Sequence, residues 1–526
     1  MLFSLANTAF RFSKNCFYGC LIRLFNQSIL YMDFPTLKEF LQIATTANVI
    51  PLVREIIADL DTPVSAYLKI SYASRYSFLF ESADRGKFGR YSYLGADPYF
   101  IISAHGRKIT IEYRDGKKVD FWTDSNPLNE LKKIMDAYKA FPVPQLPDFF
   151  GGIVGYLGYE MVHFFEPSVP RARKDDLEVP DLCFLLADTL IIFDHQERKM
   201  FLIANAIIEN NALEAYEKAK RKLDDLQEAL SKPLYHPLFL RNPDCGHELP
   251  LAVNMTKEEY ISMTEKMQEY IRAGDIFQVV PSQRWHTPCK KDPIDVYRAL
   301  RLINPSPYMF CLKFKDFSLV GSSPEVHVRF DKRKVYVRPI AGTRPRGQNS
   351  PEEEAKIVEE LINDPKEKAE HIMLVDLARN DIGRVCAFNS IIVKELMVIE
   401  KYSHVIHMVS SVEGIAREGI SPFDVLEATF PAGTVTGAPK VRAMQIISQL
   451  EPTCRGPYAG IVGCLSFSGY LDSCIAIRTI LIKNGYAYLQ AGGGLVADST
   501  PIGEYLESSN KAKAGMKALA LVESFL

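Results

Sequence analysis

Four glutamates fall into two pairs with helical spacing, Glu367 with Glu370 and Glu504 with Glu507. Residues three apart on a helix share a face, so each pair sets two carboxylates side by side. One such pair is what a solvated helix face ordinarily shows. Here the first runs on into the largely apolar sequence His371-Ile372-Met373-Leu374-Val375. The second follows Gln490-Ala491-Gly492-Gly493-Gly494, a turn that lets backbone approach a ligand closely. Two carboxylate pairs beside a glycine turn suit an oxygen-ligated Mg²⁺ that keeps waters and holds an anionic substrate. No histidine and cysteine cluster offers a softer metal site. Arg478, in Ile475-Ala476-Ile477-Arg478-Thr479, reads as a guanidinium inside an apolar strand. Burying it unpaired is expensive, so it is either half of a structural ion pair or a bidentate clamp for a substrate carboxylate. His404 and His407 flank a strand-like run, where a lone histidine is ordinarily structural.

Two glycine-rich segments point away from nucleotides. Gly433-Thr434-Val435-Thr436-Gly437-Ala438-Pro439-Lys440 lacks the G-K-[ST] ending of a phosphate loop, and Pro439 removes a donor the cradle would need. Gly152, Gly155 and Gly158 miss the dinucleotide spacing.

The elements that must carry these residues are punctuated by local signals. Lys108 to Trp122 alternates on either side of Asp115-Gly116, which predicts a hairpin. Asn211 to Ala229 is a charged amphipathic helix. Thr256 with Glu259 is a capping box whose helix runs to Gly274. Ser350-Pro351-Glu352-Glu353 and Asp364-Pro365-Lys366-Glu367 each open a helix, the second ending near Gly383, and Thr500-Pro501 opens the last. Between them, Phe317–Val320, Glu325–Phe330 and Lys334–Ile340 read as one meander, and 459–496 as another strand series. Strands joined by hairpins, with helices between hairpin groups, indicate an α+β fold with antiparallel sheets. Residues 230–250, with Pro233, Pro237, Pro243, Gly246 and Pro250, read as a boundary between two halves. Residues 1–32 carry Arg11, Lys14 and Arg23 and no acid, the pattern either of a leader or of a start set upstream of Met32, and are expected to lack fixed structure.

At 47% hydrophobic and 24% charged, the 526-residue chain excludes a disordered or fibrous class. A net charge of -2 shows no basic excess for nucleic acid, and no apolar run is long enough to span a membrane. The 10 cysteines include no C-x-x-C pair and read as buried thiols of a reducing, cytoplasmic compartment.

Four segments in order, Pro339-Ile340-Ala341-Gly342-Thr343-Arg344-Pro345-Arg346-Gly347, Glu370 to Asp381, Phe430 to Lys440 and Gln490 to Glu507, resemble the chorismate-utilising enzyme family, in the pattern of its anthranilate synthase component I branch. The match is strongest from about 270 to 515 and weaker from about 65 to 225. It implies two large antiparallel β-sheets stacked between helices, with 33–235 as an N-terminal regulatory-type part and 250–526 as the chorismate-binding catalytic part. It implies Mg²⁺ held by Glu370 and Glu507 with help from Glu367 and Glu504. Substrate contacts fall on Gly342, Thr343, Tyr458, Arg478 and Gly492, Gly493 and Gly494, and proton transfer on His407. Chorismate carries two carboxylates, one for the metal and one for Arg478 and the glycine turn.

Within the family the nucleophile is chosen by few residues. Water-using members place a lysine base where this chain has Gln278, which cannot deprotonate water, so isochorismate or salicylate synthesis is disfavoured. The para-aminobenzoate branch places lysine where this chain has Ala341. The expectation is a lyase that aminates chorismate ortho to its ring carboxyl and eliminates pyruvate to give anthranilate, the first committed step toward tryptophan. Para-aminobenzoate synthase component I and a non-catalytic tryptophan sensor are the alternatives. No cysteine sits on a glycine-flanked elbow beside a base, so ammonia must come from a separate glutamine amidotransferase subunit, component II, or from solution. Phe80-Glu81-Ser82 and Asn304 to Met309 resemble the family's feedback pocket. That likeness implies L-tryptophan as inhibitor, bound by Ser82, Pro307, Tyr308 and Met309, with Phe80 in place of the usual leucine.

Overall fold

The computed structural model describes residues 33–83, 89–172, 174–236, 249–346, 351–401 and 405–523. Residues 1–32 and most of the segment read as a boundary, 237–248, lie outside them. The expected punctuation is present. Lys108–Tyr113 pairs with Lys118–Trp122 as a hairpin, and Ala212–Ser231 is a helix capped by Asn211. Lys257–Arg272 opens on the reciprocal Thr256–Glu259 box.

Two large antiparallel sheets form the body, one of eleven strands and one of twelve. Each draws strands from both sides of 237–248. Ser77–Glu81 lies beside Tyr308–Lys313 in the eleven-stranded sheet, and Gly152–Leu157 beside Ile461–Ser466 in the twelve-stranded sheet. The sheets pack face to face through Phe78, Phe310, Leu319 and Leu481 of one and Tyr156, Leu185, Val462 and Cys464 of the other. The outer face of the eleven-stranded sheet is covered by helices that include Pro293–Ile303 and Pro501–Glu523. That of the twelve-stranded sheet is covered by helices that include Pro127–Asp136, Pro365–Gly383 and Lys440–Leu450. Central strands are therefore buried on both faces, which is why Leu182–Ala187 reads Leu-Cys-Phe-Leu-Leu-Ala with no polar alternation. Gly155 owes its identity to this packing: it lies opposite Gly463, and a Cβ there would stand 2.1 Å from the Cys183 carbonyl oxygen.

The structure corrects the two strand series. Phe317–Ser323 pairs with Tyr308–Lys313 and Thr479–Lys483 in the eleven-stranded sheet, whereas Val326–Asp331 and Lys334–Val337 belong to the twelve-stranded one. In 459–496, Ile461–Ser466 and Leu471–Ile475 lie in the twelve-stranded sheet, and Thr479–Lys483 and Tyr486–Gly492 in the other. Alternation identifies a strand's apolar faces but not its sheet, and here both sheets bury both faces. Within these two series the chain changes sheet at Ser323 to Val326 and at Ile475 to Thr479. Arg478 therefore stands at a crossover with φ 52° and not inside a strand.

Seven described cysteines are buried and free. No helix among the described residues is long and apolar enough to cross a membrane.

Candidate active site

The helix Pro365–Gly383 is fixed at its start by Asp364, whose carboxylate accepts from the Lys366 and Glu367 amides at 2.9 and 3.2 Å. This turns Glu367 and Glu370 toward the helix Pro501–Glu523, which Thr500 caps by accepting from the Gly503 amide at 3.2 Å. Burial first, then the charges of Glu367 and Glu507, hold the Glu370 carboxyl above the usual carboxylate range. Burial, then Glu507, do the same to Glu504. Only partial counter-charge is present: Arg344 pairs with Glu367 at 2.7 Å, and Lys511 with Glu507 at 2.7 Å. The Gln278 amide donates to Glu370 Oε1 at 3.2 Å.

The glycines close this cluster because side chains would not fit. A Cβ on Gly493 would stand 2.4 Å from Glu504 Oε2 and 3.3 Å from Glu507 Oε1. A Cβ on Gly494 would stand 2.7 Å from Gln278 Nε2 and 3.5 Å from Glu370 Oε1. From the other side Gly342, at φ 59°, brings its backbone up to Glu367, where a Cβ would lie 3.1 Å from Oε2. Among the described residues no three acids already form a closed ligand shell. Convergent carboxylates around a glycine cradle, with the buried Glu504 Oε2 lacking a hydrogen-bond partner, nonetheless match the hard oxygen donors that Mg²⁺ takes.

The opposite wall is cationic. The Arg478 guanidinium is half-buried and donates to the Lys511 carbonyl at 3.0 Å, and burial holds it below the ordinary guanidinium range. Lys511 Nζ donates to the Gly492 carbonyl at 3.0 Å, so one lysine links the glycine turn, Glu507 and Arg478. A Cβ on Gly492 would meet the Tyr458 hydroxyl at 3.0 Å, and burial pushes that phenol up to about 12. His407 lies opposite Thr343 in the ladder between Ile340–Pro345 and Val405–Ile415. Burial, then the charge of Arg478, lowers its pKa, so the imidazole is neutral at neutral pH. The Thr343 side chain and His404 lie outside the described residues. The structure thus gathers Gly342, Glu367, Glu370, His407, Tyr458, Arg478, Gly492, Gly493, Gly494, Glu504 and Glu507 around one space.

Lys511 also belongs to this space, and Glu325 stands near enough to feel its charge. Lys511 follows Glu507 by four, and helical spacing alone could have joined it to the acidic pair. Glu325 stands on the other crossover, and burial pushes its carboxyl up to about 7 against the nearby charge of Lys511. It lines a small cavity with His327, Leu377, Gly433, Thr434 and Ile475. The segment excluded as a phosphate loop is therefore a wall of this cavity. No periodicity marks Glu325, which follows Ser-Ser-Pro at a sheet change.

The segments read as a feedback pocket are neighbours. Met309 lies opposite Glu81 in the ladder, and the Ala83 amide donates to the Ser306 carbonyl at 3.1 Å, which brings Ser82 beside Ser306 and Pro307. Glu81 accepts from the Tyr297 hydroxyl at 2.5 Å and from Arg301 at 3.2 Å. Met309 is buried on the helix side of the sheet. Tyr308 points to the opposite face, where its hydroxyl donates to Asp472 at 2.8 Å.

A family model for chorismate binding enzymes matches residues 77–517. Anthranilate synthase component 1 from Acetivibrio thermocellus is 44% identical over 492 residues, covering 93% of this chain and 99% of that protein. The protein of the same name from Synechocystis is 44% identical over 507 residues, covering 93% and 99%. Among solved structures, anthranilate synthase component I from Streptococcus pneumoniae superposes with a TM-score of 0.72 at 35% identity, covering 88% of this chain and 98% of that one. The menaquinone-specific isochorismate synthase of Escherichia coli, at 18% identity and a TM-score of 0.66, shares the fold.

Proposed function

The chain belongs to the chorismate-binding enzyme family, and from that premise we propose that it is an anthranilate synthase component I, a lyase that aminates chorismate and eliminates pyruvate. The observation that carries this reading is the pairing of a carboxylate cluster with a half-buried arginine across one glycine turn. Chorismate is a dianion, and the two walls can hold one carboxylate each.

Glu367, Glu370, Glu504 and Glu507 would hold Mg²⁺, which when bound neutralises the ring carboxylate and polarises the ring toward loss of its hydroxyl. Arg478, with the backbone of Gly492 to Gly494, takes the enolpyruvyl carboxylate. Ammonia adds ortho to the ring carboxyl as the ring hydroxyl departs, and that oxygen needs a proton. Glu325, protonated up to about pH 7, is suited to give it. Pyruvate then leaves with loss of the ring proton at the aminated carbon, and neutral His407 assists that proton transfer. Gln278 sits at the cluster as an amide that cannot take a proton from water, which favours a nucleophile arriving as neutral ammonia. A glutamine amidotransferase subunit supplies that ammonia, since the described thiols are buried and none lies on a nucleophile elbow. Tryptophan binds at Ser82, Pro307, Tyr308 and Met309 and inhibits.

The purified chain with chorismate, Mg²⁺ and ammonium should form anthranilate and pyruvate. It should do so with glutamine only after the amidotransferase is added. Formation of para-aminobenzoate precursor or of isochorismate would replace this reading.

A further inference from the structure

The active site and the 304–309 segment meet at the end of one strand. Phe317–Ser323 lies between Tyr308–Lys313 and Thr479–Lys483, and its last two residues reach both ways. The Ser322 amide donates to the Arg478 carbonyl at 3.1 Å. The Ser323 hydroxyl donates to the Ile475 carbonyl at 2.7 Å, and the Ile475 amide donates to the Glu325 carbonyl at 3.1 Å. These two serines therefore clasp both ends of the crossover that carries Arg478. Arg478 has φ 52°, a conformation that an L-residue keeps only where its surroundings impose it.

On its other side Ser322 holds the feedback segment. Its fully buried hydroxyl donates to the Asn304 backbone carbonyl, accepts from the Asn304 side-chain Nδ2 at 3.2 Å and lies 2.9 Å from the Ser306 hydroxyl. In the ladder Ser322 faces Met309, which faces Glu81, so one cross-strand row runs from the neighbour of Ser82 to the clasp on Arg478. A displacement of 304–309 cannot leave Ser322 in place without stranding buried polar groups, which costs free energy.

We propose that Ser322 is the coupling residue through which a ligand seated at 304–309 sets the position of the Arg478 guanidinium, so that an occupied pocket weakens chorismate binding. This rests on the reading of that pocket as a tryptophan site. Ser322 contacts neither the substrate space nor the metal cluster; it is a positioning residue that acts through the Arg478 backbone.

The test compares wild type with Ser322→Ala and Ser306→Ala, by tryptophan calorimetry and ammonia-dependent kinetics. In wild type, tryptophan should raise the chorismate KM by at least about tenfold, and chorismate should in turn weaken tryptophan binding, by the factor by which tryptophan weakens chorismate binding itself. In Ser322→Ala, which keeps the backbone bond to Arg478 and loses the hydroxyl link, tryptophan should still bind within about threefold of wild type while both cross-effects fall below about threefold. Ser306→Ala removes the partner hydroxyl and should show a weaker form of the same uncoupling. A Ser322→Ala enzyme whose KM responds to tryptophan as wild type does would overturn the coupling role and leave the pocket standing. Loss of tryptophan binding in Ser322→Ala would make Ser322 part of the pocket, which also overturns it. A wild-type enzyme that binds no tryptophan removes the pocket and the coupling together.

Discussion

The four glutamates and the two crossover residues, Arg478 and Glu325, stand on differently built supports. The glutamates stand on two helices whose starts are set by their own neighbours, Asp364 and Thr500. Arg478 and Glu325 each stand on a crossover, where the chain leaves one sheet for the other and where strands distant in sequence fix the backbone. The helices hold like charges together against their repulsion, and Arg344 and Lys511 compensate them only in part. The crossovers hold single ionisable groups out of water, so their chemistry depends on the register of two sheets. A site of this kind has one half that is rigid and charge-strained and another that is adjustable through the sheet.

The sharpest contrast should come from Glu370→Gln. It keeps the helix and removes one charge from the cluster, and turnover should fall at least about a hundredfold, roughly 2.7 kcal/mol of barrier. Mg²⁺ should raise the melting temperature of wild type and not that of the variant, since only a native state that binds the ion is stabilised by it. More than about a tenth of wild-type activity, roughly 1.4 kcal/mol of barrier or less, would remove Glu370 from the metal shell.

Glu325→Gln probes the crossover half through pH. Burial pushes this carboxyl up to about 7, so between its unfolded value and about pH 7 the folded chain keeps a proton that the unfolded chain has released. Stability therefore falls as pH rises through that window, by up to about 3 kcal/mol for such a shift, and levels off above it. Urea unfolding at pH 5 and pH 8 should show a smaller difference in Glu325→Gln than in wild type. Glu160 contributes a similar slope to both, since burial also pushes it up to about 7. In kinetics, the wild-type rate per mole of neutral ammonia should decline above about pH 7 as the acid ionises. The variant should be at least about tenfold slower and lack that decline. A variant with the wild-type profile would take the proton-donor role away from Glu325.

This division also explains what could be read without coordinates. The Thr256–Glu259 capping box, the Asp-Gly hairpin and the paired glutamates are local patterns, and each lies where its spacing placed it, whereas Ser350 lies outside the described residues. The stacked antiparallel sheets followed from hairpin-joined strands and from the resemblance. Which strand entered which sheet was not legible, because strands buried on both faces carry the same apolar signal in either sheet. Arg478 was recognisable as a guanidinium in an apolar run, but its place outside a strand follows only from the Ile475 to Thr479 crossover. Glu325 had no local mark at all, because its importance comes from burial that strands far along the chain provide.

The smallest expected effect lies farther along the same sheet. Ser82 follows Glu81, which is anchored by Tyr297 and Arg301, and precedes Ala83, whose amide holds the Ser306 carbonyl. The backbone around it is thus tied down by groups other than its own hydroxyl. Ser82→Ala should leave fold and melting temperature intact and remove one polar contact to bound tryptophan. That is worth about 1 kcal/mol, or about a five- to tenfold weaker inhibition. The ammonia-dependent rate without tryptophan should stay within about twofold, because the substitution leaves the cross-strand row from Glu81 through Met309 to Ser322 in place. This separates the pocket from its coupling: Ser82→Ala should weaken tryptophan binding and keep the full KM response at saturation, the reverse of Ser322→Ala. Activity and inhibition falling together in Ser82→Ala would mark the residue as part of the packing under the sheet, and the pocket would have to be sought elsewhere.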